Sequence, residues 1–311
     1  MQAIETTIER LSGRKTEVFV HAPFTHPANI TPYRHLRPAL PYDLAQIAGK
    51  AAVLFATQDK TETLGLWAAA LKQAPGSLTI VWPNDMGGRS LAKFCEALGL
   101  RAQIESKHHA KIAFLADLPA AKAEVMAEWS EAAAAKPVTG TTLIAEAGLF
   151  SHRHADPASA LLAAHIPDDL SGHVADFGCG YGYLSQVALR SDKIEIMHVI
   201  DNDTRAVNRA RANLGDKRVQ SLWVDIATDP LPGKLDAVIM NPPFHINGVE
   251  SKALGLAFIE QAAKALKKHG TLYLVANRHL PYEAAITRLF AKQVMAADTQ
   301  GFKVIIATKG Q

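Results

Sequence analysis

Cysteine is scarce: the 311 residues include two, Cys95 and Cys179, far apart in the chain. A disulfide framework is therefore not expected, and a reducing compartment is. No apolar run reaches the roughly 18 residues that a spanning helix needs. The N-terminal Met1-Gln2-Ala3-Ile4-Glu5-Thr6 carries no basic segment followed by an apolar one. A cytoplasmic protein without a membrane partner is expected. An excess of one charge is missing too: 15 basic residues face 13 acidic ones up to position 142, and 18 face 17 beyond it. Neither half is a strongly basic module, so a nucleic acid would have to be recognised by a site rather than by bulk charge. Metal spacing is also absent. Of 13 histidines only His108-His109 and His152-Arg153-His154 cluster, neither with a second ligand set, and no metal is expected.

What is present divides into two halves. Residues 1 to about 45 hold Pro23, Pro27, Pro32, Pro38 and Pro41, which forbid a long helix. They read as an irregular arm on the first domain, with His21, His26, Arg34, His35 and Arg37 as candidate phosphate contacts. From Ala51 to Leu115, short apolar runs (Ala52 to Phe55, Leu78 to Val81, Ile112 to Leu115) alternate with helical spacing, which predicts a parallel sheet covered by helices. The turn after its first strand, Thr57-Gln58-Asp59-Lys60-Thr61, has no glycine, so no cofactor is expected there. A helix opened by Pro119, running from Ala120 to Ala135 and followed by Pro137 and Gly140, marks the boundary. The domains are read as residues 1–142 and 143–311.

The second half opens on Val174-Ala175-Asp176-Phe177-Gly178-Cys179-Gly180-Tyr181-Gly182, an apolar strand running into a glycine-rich turn. Gly178, Gly180 and Gly182 let the main chain approach a ligand with no β-carbon in the way. Asp176 sets a carboxylate where an amino acid ammonium group can sit. Asp201, at the end of the next strand, can accept both hydroxyls of a ribose. Asp225, at the end of a third strand read as Leu222 to Val224, can accept from an adenine amino group. Three acidic residues at three successive strand ends match the polar parts of S-adenosyl-L-methionine, and that is the expected cofactor.

A fourth strand ends in Asn241-Pro242-Pro243-Phe244-His245. A conjugated amine is a poor nucleophile because its lone pair is delocalised. The Asn241 side-chain oxygen and the Pro242 carbonyl can accept its two N–H bonds and turn the lone pair toward a methyl group. Asn241 thereby borders the cofactor as well as the acceptor. Phe244 offers a face on which a base can stack, and His245 can read a base edge.

Asn-Pro-Pro-Phe-His, with Asp-x-Gly-Cys-Gly-x-Gly ahead of it, resembles the bacterial ribosomal RNA guanine-N2 methyltransferases, most closely the small-subunit methyltransferase C type. Gly148-Leu149-Phe150-Ser151 with Asp156-Pro157-Ala158-Ser159 is similar to that family's approach segment. Val275-Ala276-Asn277-Arg278-His279-Leu280-Pro281-Tyr282 and Phe302-Lys303-Val304 are similar to its last strands, and Asn84-Asp85-Met86-Gly87-Gly88-Arg89-Ser90 looks like a loop of its N-terminal domain. The resemblance implies an α/β chain of two Rossmann-like, class I methyltransferase-type domains. The first would be degenerate, serving folding or RNA positioning. The second would be catalytic, with a mostly parallel seven-stranded sheet and helices on both faces. It implies methyl transfer to guanine N2 of ribosomal RNA in the small subunit. Separately, a monomer is favoured, and Arg278, His279 and Lys303 are read as further candidate substrate contacts. The large-subunit enzymes share the Asn-Pro-Pro-Phe-His element, so the subunit stays open. Adenine N6 or a protein glutamine amide is the alternative acceptor. A silent RNA-binding assembly protein is the alternative of another class.

Overall fold

A computed structural model describes residues 18–21, 36–38, 44–115, 118, 121–243, 245–246, 249–250 and 252–311. The chain divides into two compact units, Met1–Ala135 with Glu146–Gly148, and Lys136–Ala145 with Leu149–Gln311.

The first unit holds β1 (Val18–His21), β2 (Leu36–Pro38), β3 (Ala51–Phe55), α1 (Lys60–Lys72), β4 (Ser77–Pro83), α2 (Leu91–Ala97), β5 (Gln103–Lys107), β6 (Ala110–Leu115) and α3 (Ala123–Ala133). Its sheet runs β2-β1-β3-β4-β6-β5. The expected all-parallel sheet is corrected, because β6 pairs antiparallel with β4, and β5 antiparallel with β6. The irregular arm is corrected too: β1 and β2 extend the sheet in parallel beyond β3. Pro38 sits on β2, an edge strand with one side free of any ladder partner, the place in a sheet where proline is tolerated. His26, Arg34, His35 and Pro119 lie outside the described residues.

Trp67 and Trp82, both fully buried, fill this core. Trp82 stacks on Phe94 with ring centroids 5.2 Å apart and donates from Nε1 to the Met86 carbonyl at 2.8 Å. The turn after β3 is closed by its own side chains. The Thr57 N–H donates to Thr63 Oγ1 at 2.9 Å, Thr57 Oγ1 donates to the Asp59 carbonyl at 2.8 Å, and Asp59 caps α1 through the Glu62 N–H. Hydroxyls therefore occupy the backbone that a glycine turn would offer to a ligand.

The second unit begins with a short antiparallel pair, β7 (Lys136–Pro137) and β8 (Ile144–Ala145), and then α4 (Pro157–Ala163). Its body is β9 (Gly172–Phe177), α5 (Tyr183–Ala188), β10 (Ile194–Asp201), α6 (Thr204–Leu214), β11 (Val219–Trp223), β12 (Leu235–Met240), β13 (His245–Ile246), β14 (Val249–Glu250), α7 (Lys252–Ala265), β15 (Leu266–Asn277), α8 (Glu283–Leu289), β16 (Lys292–Thr299) and β17 (Phe302–Thr308). The seven strands are ordered β11-β10-β9-β12-β15-β17-β16. The first five are parallel, β17 is antiparallel to β15, and β16, antiparallel to β17, runs in the direction of the first five. Val174 to Phe177 and Ala237 to Met240 are at most 1% exposed. Such continuous apolar runs belong to strands covered on both faces.

Strand order reverses at β9, where β10 lies on one side and β12 on the other, and ligands of open α/β sheets sit in the crevice beyond such a reversal. Register aligns the strand ends. Phe177 pairs with both Ile200 and Met240, so the next residues, Gly178, Asp201 and Asn241, emerge side by side.

Candidate donor and acceptor site

At this edge Gly178 has φ 80° and Gly180 φ 51°. A β-carbon on Gly180 would meet nothing within 4 Å, and one on Gly178 only the Phe258 ring at 3.7 Å. The space in front of the turn is open, as a cradle for a ligand requires. Gly182 departs from its expected role. It has φ 94° at the N-cap of α5, and a β-carbon there would stand 3.3 Å from Ala210 of α6. Its lack of a side chain serves helix packing.

Asp176 is 1% exposed. Its Oδ2 accepts from the Ser185 N–H at 3.1 Å and the Ser185 hydroxyl at 2.6 Å, whereas its buried Oδ1 has no hydrogen-bond partner. An orphaned carboxylate oxygen beside a glycine cradle fits an ammonium group. Burial pushes the carboxyl from 3.8 to about 7, against the Ser185 hydroxyl bond and with help from the Asp201 charge. A carboxyl raised in the folded state binds its proton there before the unfolded chain does. The stability of the ligand-free protein therefore falls as pH rises from about 4 to about 7. Asp176→Asn is expected to raise the melting temperature of the ligand-free protein at pH 8 and to change it little at pH 4. An equal shift at both pH values would contradict a charge origin.

Asp201, half-buried, ties the edge together. Its Oδ2 accepts from the Gly180 N–H and its Oδ1 from the Asp203 N–H, both at 3.0 Å. Burial raises its pKa, and the N–H bonds from Asp203, Gly180 and Asn202 oppose the rise. Each oxygen keeps a lone pair for a further donor. Asp225 lies two residues beyond β11, which ends at Trp223 rather than at Val224. One of its oxygens turns back to cap the following turn through the Ala227 N–H at 2.9 Å.

Asn241 is oriented through its nitrogen. Nδ2 donates to Asp156 Oδ2 at 3.0 Å and to Ser159 Oγ at 2.9 Å. Pro242 is buried and Pro243 exposed; Phe244 and the side chain of His245 lie outside the described residues. Three contacts of this edge escaped the sequence reading: Ser185, Asp156 and Ser159. Asp-Pro-x-Ser is legible as a helix start, and Asp156 does cap α4 through the Ser159 N–H at 2.8 Å. Nothing in its spacing announces a partner 85 residues away.

The group expected to contact substrate divides. Arg278 and His279 are exposed, and Arg278 pairs with Asp298. Lys303 is a correction. It is 3% exposed, and its ammonium donates to the Leu280 carbonyl and to Glu283 Oε1, both at 2.5 Å. It fastens the segment after β15 and is not available to phosphate. Lys303→Met is expected to lower stability by about 1 to 3 kcal/mol, since a buried carbonyl loses its donor. The salt dependence of RNA binding should stay as in the wild type, whereas loss of a phosphate contact would flatten it by about one unit of slope. Among the described residues no group of three or more potential ligands could hold a metal, and no helix is long and apolar enough to cross a membrane.

Comparison with known proteins gives consistent relatives. The model of the methyltransferase small domain matches residues 140–306. Ribosomal RNA small subunit methyltransferase C of Acinetobacter baumannii (strain AYE) is 30% identical over 238 residues, covering 74% of this chain and 70% of that protein. The protein of the same name from Shewanella sp. (strain MR-7) is 28% identical over 234 residues, covering 74% and 68%. The solved structure of the T. thermophilus 16S rRNA N2 methyltransferase, in complex with AdoMet and guanosine, superposes with a TM-score of 0.75 at 22% identity, covering 97% of this chain and 84% of that one. This last likeness carries the fold.

Proposed function

The chain belongs to the methyltransferase small domain family and, within it, to the ribosomal RNA small subunit methyltransferase C group. From that membership we propose that it methylates 16S ribosomal RNA of the small subunit with S-adenosyl-methionine, at the exocyclic N2 of a guanine. The observation that carries this reading is the sheet register that sets the end of β12, with Asn241, next to the glycine turn of β9 and its orphaned Asp176 oxygen.

The cofactor supplies a methyl group on a sulfonium, electrophilic without further activation. Asp176 Oδ1 would hold the ammonium, the open Gly178 and Gly180 backbone would admit the ligand, and Asp201 would take the ribose hydroxyls. Asp225 offers an acceptor to the adenine amine. Asn241 Oδ1 and the Pro242 carbonyl accept the two N–H bonds of the guanine amine, so that its lone pair points at the methyl carbon. Proline fixes that backbone before the substrate arrives. The donor would leave as a neutral thioether, and the methylated amine, strongly acidic while its nitrogen carries the charge, would give its extra proton to water, so alignment and not an acid-base pair does the catalytic work. To the first unit, whose corresponding turn is closed by Thr57 and Thr63, we assign a role in RNA positioning or in folding of the second.

The test is transfer of labelled methyl from S-adenosyl-methionine to purified 30S subunits, 50S subunits, DNA and a protein extract in parallel, followed by nucleoside analysis. N2-methylguanosine from 30S alone is the expected result. The same product from 50S would move the target. Label in adenine or in protein glutamine would overturn the acceptor.

A further inference from the structure

We propose that Asp156 and Ser159 are positioning residues for methyl acceptance: together they fix which end of the Asn241 amide faces the substrate. The inference rests on the transfer reaction proposed above and goes beyond it by naming what aims Asn241. An amide has two ends of nearly the same shape and opposite hydrogen-bonding sense, and a flipped Asn241 would present donors to an amine that needs acceptors. Asp156 excludes that flip. A carboxylate only accepts, so the end of the amide lying 3.0 Å from Asp156 Oδ2 has to be the nitrogen.

Ser159 Oγ, 2.9 Å away, takes the second N–H of the same nitrogen. Both hydrogens are then spent on the N-terminus of α4, and among the described residues no hydrogen bond reaches Oδ1. The support is itself anchored. Oδ2 of Asp156 also accepts the Ser159 N–H at 2.8 Å, Pro157 fixes the first helical φ, and Ser159 is 7% exposed. A helix cap alone needs no partner 85 residues away. The amide of the residue proposed to face the substrate is what the second bond of Asp156 holds.

The experiment is a set of substitutions read by kcat, donor affinity, melting temperature and NMR, using as methyl acceptor whichever substrate the wild type labels. Asp156→Asn keeps a good helix cap but puts at position 156 a group that can donate or accept, so Asn241 is no longer held in one flip. It is expected to lower kcat about tenfold, with calorimetric affinity for S-adenosyl-methionine and melting temperature within error of wild type. In an Asn241→Ala background the same change is expected to have no further effect on kcat. Asn241→Asp sets carboxylate against carboxylate, and adding Asp156→Asn is expected to recover about tenfold of the lost kcat, because the new amide can donate to the new acid. Ser159→Ala should lower kcat less, since one of the two bonds remains.

A wild-type kcat in Asp156→Asn, or the same loss with and without Asn241, would overturn the proposal and leave Asp156 as a cap. Labelled side-chain amide NMR gives a readout independent of any acceptor. The two Asn241 amide protons should exchange slowly with solvent in the wild type and faster in Asp156→Asn. If the wild type methylates none of the four acceptors, the transfer reading falls; equal exchange in the two proteins removes the positioning role whatever the reaction.

Discussion

Replacing Asn241 with alanine is expected to lower kcat for methyl transfer by about 100- to 1000-fold, the range seen when one preorganised hydrogen-bonding group is removed from a reacting centre. Donor affinity should stay within about twofold of wild type, because the contacts proposed for the ammonium and the ribose come from β9 and β10. Asn241 leaves the sheet beside Gly178, since Met240 and Phe177 are paired, and its nitrogen is already committed to Asp156 and Ser159. Removing it deletes an acceptor set before the substrate arrives, so the loss falls on turnover. Single-turnover rates together with calorimetry separate the two quantities. Equal losses of donor binding and turnover would reassign Asn241 to the donor.

Asp201→Ala is expected to weaken S-adenosyl-methionine binding about 100-fold and to lower the melting temperature as well. Two effects coincide at one carboxylate. On the proposed assignment the ribose loses a bidentate acceptor, worth more than a neutral one. The Gly180 and Asp203 N–H groups lose theirs at the same time, and because both are only part-buried the cost stays at or below that of a fully buried orphan donor, about 1 to 3 kcal/mol. Calorimetry on the alanine variant measures the first effect and thermal melting the second. Wild-type affinity would remove Asp201 from the donor site.

How far the fold was legible depended on burial. The central strands β9 and β12 are covered on both faces and announce themselves as apolar runs, and the glycine turn is legible because only glycine takes φ 80° there without strain. β5 and β16 were missed for the opposite reason. Gln103 to Lys107 and Lys292 to Thr299 lie at sheet edges with mostly exposed side chains, so no apolar alternation marks them. β1 and β2 hide among prolines. In the site the errors concern partners. Lys303 reads as a surface cation because charge in sequence carries no depth, and it is the Leu280 carbonyl and Glu283 that make its burial tolerable. Gly182 fits the motif as well as Gly180 does, and only the approach of Ala210 separates packing from cradle. Asp156 and Ser159 are visible as a helix start; their hold on Asn241 exists only after folding.

The carboxyl of Asp176 gives the site a character of its own. Burial raises its pKa to about 7, so a cationic ammonium bound at Oδ1 as proposed would displace one positive charge with another near neutrality. Donor uptake would in that sense be an exchange, with hydrogen ion leaving as the amino acid end enters. Acid and donor would then compete for the same carboxyl, and below neutrality each further unit of pH is expected to cost up to about tenfold in apparent affinity. The heat of binding then contains the ionisation enthalpy of whichever buffer takes up the released proton.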